Sequence, residues 1–202
     1  MFIENELKLI PTGHITIQDL LSLLINYDYQ IQQNPKISIH QDIYYDDKKK
    51  TLYKKDSSLR LRIKKDKIFI TYKQPIKSNT IYKQREEYQL MVNEKDINKA
   101  FIILKEKFPT IKLPKNIMMV LQINNKRNKA IIKAKDNTII EIAIDHIIVN
   151  NKYSLEDEIE FEIISGNSNH LDYIYEILKL SYNIEKNNLS KYHRALKEIS
   201  NN

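Results

Sequence analysis

The stretch FIENELKLI, at Phe2–Ile10, alternates between apolar and charged side chains. Successive side chains of a β-strand point to opposite faces, so this alternation predicts a strand with two unlike faces. One face is apolar, and the other carries three charged residues, Glu4, Glu6 and Lys8. The charged face either meets water, as on an ordinary surface strand, or lines the inside of a closed structure.

Alternating patterns of this kind recur along the chain and predict a strand-rich α+β fold. We expect strands at Phe2–Leu9, Ile39–Asp46, Ser58–Lys64, Lys67–Lys73, Ile81–Val92, Met118–Ile123, Lys129–Lys135, Thr138–Val149 and Glu158–Ser165. Helical patterns begin near Thr16, Glu94, His170 and Ser190, and the last of these is a good N-cap. The apolar helix faces can pack on the apolar strand faces of a curled sheet or barrel.

The charged strand faces are segregated by sign. Arg60 and Arg62 share a face in LRLRI, whereas Glu158, Glu160 and Glu162 share a face in EIEFEI. Carboxylates at alternate positions stand about 7 Å apart, which is unfavourable unless cations compensate them. Strands that face water usually mix signs, so the segregation favours charged faces that line the interior of a closed barrel.

Composition excludes several classes of protein. The chain has 202 residues and a formal charge of +7, which fits one domain and suggests an anionic partner. Only two residues are Gly, so no Gly-rich loop holds phosphates and side chains must do so. The acidic block at 156–162 would repel a nucleic-acid backbone. Without Cys, a membrane-length apolar run or a signal peptide, we expect a cytoplasmic protein.

Eight motifs together resemble the CYTH superfamily, also called the triphosphate tunnel metalloenzymes. The first, ENELK at Glu4–Lys8, fits the ExExK signature of that family. The others follow in the family's order: IYYDD (Ile43–Asp47), LRLR (Leu59–Arg62), ITYK (Ile70–Lys73), QREEY (Gln84–Tyr88), EIAID (Glu141–Asp145), EIEFEIISGN (Glu158–Asn167) and LSKYHRAL (Leu189–Leu196). They cover nearly the whole chain, and the bacterial inorganic triphosphatases of the family are the most similar.

The resemblance implies a fold and an architecture. It implies a closed antiparallel β-barrel of about eight strands that forms a charged tunnel, with helices packed outside. Residues 1–202 would form a single tunnel domain, and a C-terminal helix at about 189–200 would lie near a tunnel mouth. The charged face of Phe2–Ile10 would then line the tunnel, where Glu4 and Glu6 would hold a metal ion.

The resemblance also implies a divalent cation, Mg²⁺ or Mn²⁺, held by carboxylates. The implied metal ligands are Glu4, Glu6, Glu160 and Glu162. Four further carboxylates could act as a general base or hold a second metal ion: Glu87, Glu141, Asp145 and Glu158. The three glutamates of EIEFEI share one face, so the strand pattern leaves open which of them ligates. The family's pattern favours Glu162.

Basic residues would bind the triphosphate. The candidates are Lys8, Arg60, Arg62, Lys73, Arg85, Arg127, Lys129, Lys191 and Arg194, of which Lys8, Arg62, Lys73 and Arg85 are also the catalytic candidates. Arg60 could instead pair with a neighbouring acid. The register of Arg127 and Lys129 stays open, since Ala130 and Ile131 stand where the family often has an aromatic residue. The last helix could also be a plain surface helix.

We expect metal-assisted attack of water on inorganic tripolyphosphate, giving diphosphate and phosphate. The alternatives are a thiamine or nucleoside triphosphatase, a class IV adenylate cyclase, and a sensor that binds polyphosphate or nucleotides without turnover. No general base is identifiable from the motifs. The expected partner is a small-molecule triphosphate, with no nucleic acid and no membrane, and the protein would be a monomer or a homodimer.

Overall fold

The computed structural model describes residues 1–201, and one antiparallel sheet that closes on itself forms its centre. The strands are β1 (Phe2–Pro11), β2 (Gln30–Asp46), β3 (Ser58–Lys64), β4 (Lys67–Pro75), β5 (Lys83–Val92), β6 (Met118–Lys133), β7 (Ile139–Val149), β8 (Tyr153–Ser154), β9 (Glu158–Ser165) and β10 (Ile184–Lys186). Eight of them form a ring in the order β1-β5-β4-β3-β2-β6-β7-β9, and β9 returns to β1. The closed barrel of about eight strands is confirmed.

The two longest strands differ from the prediction. β6 is one strand of 16 residues where two short strands were expected, and β2 begins at Gln30 rather than at Ile39. The two strands pair over almost their full lengths, from Gln30 opposite Lys133 to Asp46 opposite Met118. The polar run NNKRN therefore continues the strand because its backbone hydrogen bonds are made by both neighbours, although its side chains do not alternate clearly.

Five helices lie outside the barrel, and local sequence signals explain where they begin. They are α1 (Ile17–Ile25), α2 (Thr51–Lys54), α3 (Ile97–Lys107), α4 (Asn169–Ser181) and α5 (Lys191–Asn201). α1 begins after Thr16, which forms a capping box with Asp19. α3 begins after Asp96, whose carboxylate accepts the N–H of Asn98. None of the described helices is long and apolar enough to cross a membrane.

The apolar core surrounds the barrel and does not fill it. On one side α1 and α4 pack against outward side chains such as Leu7, Ile142 and Phe161, which are fully buried. On another side α3 packs against the outward face of β3 and β4, including Leu59 and Ile70. Since side chains alternate along every strand, the opposite, charged faces point into the lumen.

Helix α5 lies across one end of the barrel. The ring of Tyr192 stacks on Tyr44, with 5.2 Å between the ring centroids and 5° between the planes. The Tyr192 hydroxyl also donates to Asp46 at 3.0 Å. Asp46 accepts two backbone N–H groups of α2 as well, from Leu52 and Tyr53. A single buried carboxylate therefore fastens α2 and α5 to the same end of the barrel.

Gly166, directly after β9, is held in a conformation that excludes a side chain. Its φ is +104°, and an added Cβ would lie 2.4 Å from the Oγ1 and 2.7 Å from the Cα of Thr138. We expect Gly166→Ala to lower the free energy of unfolding by about 1–3 kcal/mol, measured by urea denaturation. Gly13→Ala is the control, because nothing lies within 4 Å of a Cβ at Gly13. Equal stabilities of the two variants would contradict the close approach at Thr138.

Candidate active site

The barrel encloses a cavity of about 240 Å³ whose lining is mostly charged. Most residues predicted for the site lie in this lining: Glu4, Glu6, Lys8, Arg60, Arg62, Lys73, Arg85, Glu87, Arg127, Lys129, Glu141, Glu160, Glu162 and Lys191. The other three lie just behind it. Asp145 and Glu158 are fully buried, and Arg194 donates to Glu158 at 3.0 Å. The barrel thus brings together side chains from seven strands and from α5.

Strand register explains how the acidic residues meet. β1 lies between β5 and β9 in the ring. Across the β1–β9 ladder Glu6 stands opposite Glu162, and across the next ladder Glu162 stands opposite Glu141. Glu4, two residues before Glu6, shares its lumen face. Carboxylates from three strands therefore converge although they are distant in the sequence.

The carboxylates of Glu4, Glu6 and Glu162, here called the carboxylate group, differ in how well cations balance their charge. Lys8, Lys73 and Arg85 outweigh burial and hold the pKa of Glu6 below its usual value. Burial and the neighbouring Glu6 raise the pKa of Glu4. Burial and the neighbouring Glu4 raise the pKa of Glu162 to about 8. The Oε2 atom of Glu4 is buried and accepts no hydrogen bond from any residue that the structure describes. Oxygen donors with unbalanced charge are what a divalent cation requires, so these residues fit the predicted metal ion.

Glu160, the fourth predicted metal ligand, has different surroundings. Its carboxylate, with those of Asp145 and Glu158, forms a group of acids whose oxygen atoms lie within 4.8 Å of one another. The ammonium of Lys191 contacts all three, at 2.9 Å from Asp145 and 2.7 Å from Glu158. Burial alone would raise the pKa of Glu160, but Lys191 and Arg127 outweigh it and hold that pKa well below its usual range. A lysine thus supplies the positive charge at this second acidic group.

Positive charge is in excess at Arg60 and Arg62. Both guanidinium groups bind the single carboxylate of Asp42, Arg62 through Nε at 2.7 Å and Nη2 at 2.8 Å, and Arg60 through Nη1 at 3.2 Å. Burial would raise the pKa of Asp42, but the charges of Arg60 and Arg62 hold it well below its usual range. Burial and the charge of Arg62 lower the pKa of the nearby His40 to about 3, so that side chain is neutral. One anion between two cations leaves a site that attracts further negative charge.

Apart from Lys64, the remaining cations of the lining already have carboxylate partners. Lys73 bridges Glu4 and Glu87, at 2.5 and 2.6 Å. The other pairs are Lys8 with Glu6, Arg85 with Asp56, Arg127 with Asp145 and Glu160, and Lys129 with Glu141. Arg127 and Lys129 both face the lumen, which resolves the register that the sequence left open. The lumen therefore has one place with excess negative charge and one with excess positive charge.

Asp42 and His40 were missed by the sequence reasoning. Both are buried at the lumen face of β2, and Asp42 fixes the direction of two predicted substrate-binding arginines. A signal was present, because His40, Asp42 and Tyr44 alternate in HQDIYYD and so share one face. The pairing of Arg60 with a neighbouring acid, kept as an alternative, is what the structure has.

The CYTH domain model matches residues 3–196. No curated protein matches the chain. Among solved structures, a protein of Pyrococcus horikoshii OT3 is 23% identical with a TM-score of 0.60, over 97% of this chain and 99% of that one. A proposed adenylyl cyclase from Hippeastrum, with a dominant triphosphatase activity, is 16% identical with a TM-score of 0.61, over 96% of each chain. A proposed adenylate cyclase from Bacillus halodurans is 20% identical with a TM-score of 0.57, over 93% of this chain and 97% of that one.

Proposed function

Since the chain belongs to the CYTH domain family, we propose that it is a metal-dependent triphosphatase that hydrolyses inorganic tripolyphosphate to diphosphate and phosphate. One observation carries the proposal. The same cavity has excess negative charge at the carboxylate group and excess positive charge at Arg60 and Arg62. A metal-bound triphosphate complements both places. Its metal ion matches the carboxylate group, and its anionic phosphate oxygens match the two arginines.

The arginines of β3 would bind phosphate oxygens. Arg60 and Arg62 are pre-oriented by Asp42, so little conformational entropy is lost when they receive the substrate. A guanidinium can donate two parallel hydrogen bonds to a phosphate, which sets the orientation of the chain of phosphates. Lys64, further along the same face of β3, also lines the cavity and adds a positive charge.

Glu4, Glu6 and Glu162 would hold Mg²⁺ or Mn²⁺. Such an ion, when bound, offsets the negative charge of the phosphate oxygens and makes the phosphorus more electrophilic. Lys73 bonds to Glu4 and Lys8 bonds to Glu6, so these two lysines hold both carboxylates in place beside the substrate. Glu160 as a further ligand stays a prediction, since it would have to exchange its ammonium partner.

Basic residues would stabilise the charge that develops in the transition state. Lys73 and Arg85 lie on neighbouring strands, and both face the cavity with Arg62. Buried cations act more strongly there than in water, because the surroundings are less polarisable. The Arg85 guanidinium is buried and held by Asp56, to which its Nη2 donates at 3.0 Å, so its charge is fixed in place. Phosphoryl transfer depends mainly on such positioning and electrostatic stabilisation.

Several sequence predictions stay predictions. They are the single domain over residues 1–202, of which Asn202 lies outside the described residues, the cytoplasmic location, the monomer or homodimer, and the absence of nucleic-acid and membrane partners. The position of α5 at one end of the barrel supports the expectation of a C-terminal helix near a tunnel mouth.

Phosphate release from a panel of substrates tests the proposed function. The panel is tripolyphosphate, ATP, GTP and thiamine triphosphate, each with Mg²⁺, with Mn²⁺ and with chelator. We expect rapid release from tripolyphosphate, lost with chelator, and slower release from the others. Cyclic AMP from ATP would keep the fold and change the reaction to cyclisation. Tight binding without turnover of any substrate would overturn the enzyme proposal in favour of a sensor.

A further inference from the structure

Two residues at the start of α5, Ser190 and His193, are joined beside the cavity. Ser190 is buried and belongs to the cavity lining. Its Oγ lies 2.8 Å from Nδ1 of His193, and the backbone N–H of His193 donates to the same Oγ at 3.2 Å. The second interaction is an ordinary helix N-cap. The first is additional, because a cap requires only the oxygen lone pair and leaves the hydroxyl hydrogen free.

The contact of Nε2, the other ring nitrogen of His193, determines which tautomer the imidazole adopts. Nε2 of His193 lies 2.7 Å from the backbone carbonyl oxygen of Tyr53, and a carbonyl oxygen can only accept. Nε2 therefore carries the hydrogen, and in the neutral ring Nδ1 has a free lone pair. It follows that Ser190 donates its hydroxyl hydrogen to Nδ1. The Tyr53 ring stacks on the imidazole with 4.3 Å between centroids, which holds the ring in this orientation.

The charges around His193 allow it to gain a proton. The groups that face it are Asp56, Tyr53, Lys83, Arg85 and Tyr192. The Asp56 carboxylate lies 3.6 Å from Nδ1 and would stabilise an imidazolium, whereas Lys83 and Arg85 oppose one. Burial lowers the pKa of His193 below 6.5, so the ring is neutral and able to accept a proton at pH 7.

We propose that Ser190 and His193 form the proton relay that takes the proton of the attacking water. The relay rests on the proposed function, because it serves that hydrolysis. The water oxygen forms a bond to the terminal phosphorus, and the bond from that phosphorus to the bridging oxygen breaks. As the water proton passes to Oγ of Ser190, the hydroxyl proton of Ser190 passes to Nδ1 of His193. Diphosphate leaves, and the imidazolium returns its proton to that product or to solvent.

Ser190 touches the water in this scheme, and His193 is a positioning residue that acts through it. Oγ of Ser190 has a second lone pair, beyond the one used by the N-cap, with which to accept a hydrogen bond from water. Lys191, the next residue, holds Glu158 and Glu160 and keeps the first turn of α5 against the cavity. The relay supplies the general base that the motifs alone do not identify.

The pH dependence of tripolyphosphate hydrolysis by four variants tests the relay. His193→Gln keeps a donor for the Tyr53 carbonyl but has no base at Nδ1. His193→Asn keeps an acceptor for the Ser190 hydroxyl but cannot hold a proton. Ser190→Ala removes the hydroxyl, and Ser190→Thr keeps both the hydroxyl and the N-cap. Circular dichroism and thermal unfolding of each variant, compared with the unchanged protein, show whether the barrel is folded.

We expect the kcat of the unchanged protein to decrease as the pH is lowered through a pKa below 6.5, because His193 must be neutral to accept the proton. Both His193 variants and Ser190→Ala should lose about a hundredfold in kcat at pH 7, with KM nearly unchanged and that acid limb absent. Ser190→Thr should retain most of the activity. All rates are measured at saturating Mg²⁺, so that the proton lost from Glu162 on metal binding does not shape the profile. Under that condition, an acid limb in kcat that persists in the His193 variants, or full activity of His193→Asn, would overturn the relay alone. Absence of hydrolysis by the unchanged protein would overturn the proposed function and the relay together.

Discussion

Glu4→Gln and Glu6→Gln are each expected to lower kcat for tripolyphosphate about a hundredfold or more while the barrel stays folded. Each change removes one charge from the carboxylate group and keeps the shape of the side chain. Metal binding should weaken most, because a neutral amide is a poorer ligand for a hard divalent cation. Stability should hold or rise for Glu4→Gln, since burial and repulsion already disfavour the charged form of Glu4. It should fall for Glu6→Gln, because Lys8, Lys73 and Arg85 outweigh burial and hold the pKa of Glu6 below its usual value.

Calorimetric titration with Mg²⁺ measures the change in metal affinity, and thermal unfolding without metal measures the change in stability. Glu106→Gln is the matched control, because Glu106 is an exposed glutamate on α3. Metal affinity of the unchanged protein should rise with pH up to about 8, since Glu162 must release its proton before it can ligate. Full activity of either variant, or an affinity that does not change with pH, would contradict the assignment of the metal site.

Arg62→Ala is expected to lower kcat/KM for tripolyphosphate by about two orders of magnitude, through a higher KM and a lower kcat. The change removes the guanidinium that makes the two-point contact with Asp42. Arg60 would remain alone with Asp42, and one cation with one anion has no excess charge to attract a phosphate. Lys73→Ala should act in the same direction, because it leaves Glu4 and Glu87 without their shared cation.

Two further variants show whether the effect of Arg62 depends on charge or on shape. Arg62→Lys keeps the charge but loses the planar fork, so it should restore only part of the activity. Lys126→Ala is the control, because Lys126 is exposed on the outward face of β6. Steady-state kinetics of the three proteins, with folding checked by circular dichroism, give the comparison. Unchanged kinetics of Arg62→Ala would mean that this side chain does not meet the substrate.

The face on which a residue lies was predictable where apolar and charged side chains alternate clearly, because strand alternation is a local property. The motif LRLR placed Arg60 and Arg62 together, and the structure has both in the cavity lining. Pairing across strands was not predictable, since register is set by contacts between distant parts of the chain. Arg127 illustrates the difference: only the register of β6 with β7, which puts it opposite Asp145, shows that it faces the lumen.

The partners of α5 depended on the same distant contacts. The LSKYHRAL motif predicted a helix after Ser190, and α5 begins at Lys191. That the Lys191 ammonium would contact three acids of β7 and β9 could not be read from a helical pattern. The hydrogen bond of His193 to the Tyr53 carbonyl is likewise a consequence of where α2 lies, and α2 was not predicted.

The β1–β9 ladder is the seam of the barrel, where the first strand meets one that is synthesised much later. Glu6 and Glu162 face each other across it, so like charges oppose the closing of the ring once the pH exceeds about 8 and Glu162 is ionised. A cation that binds there would stabilise the closed ring by mass action, and depletion of that cation would favour local opening along the seam. The lifetime of the protein against proteases would then follow the cellular supply of the same ion that its chemistry requires.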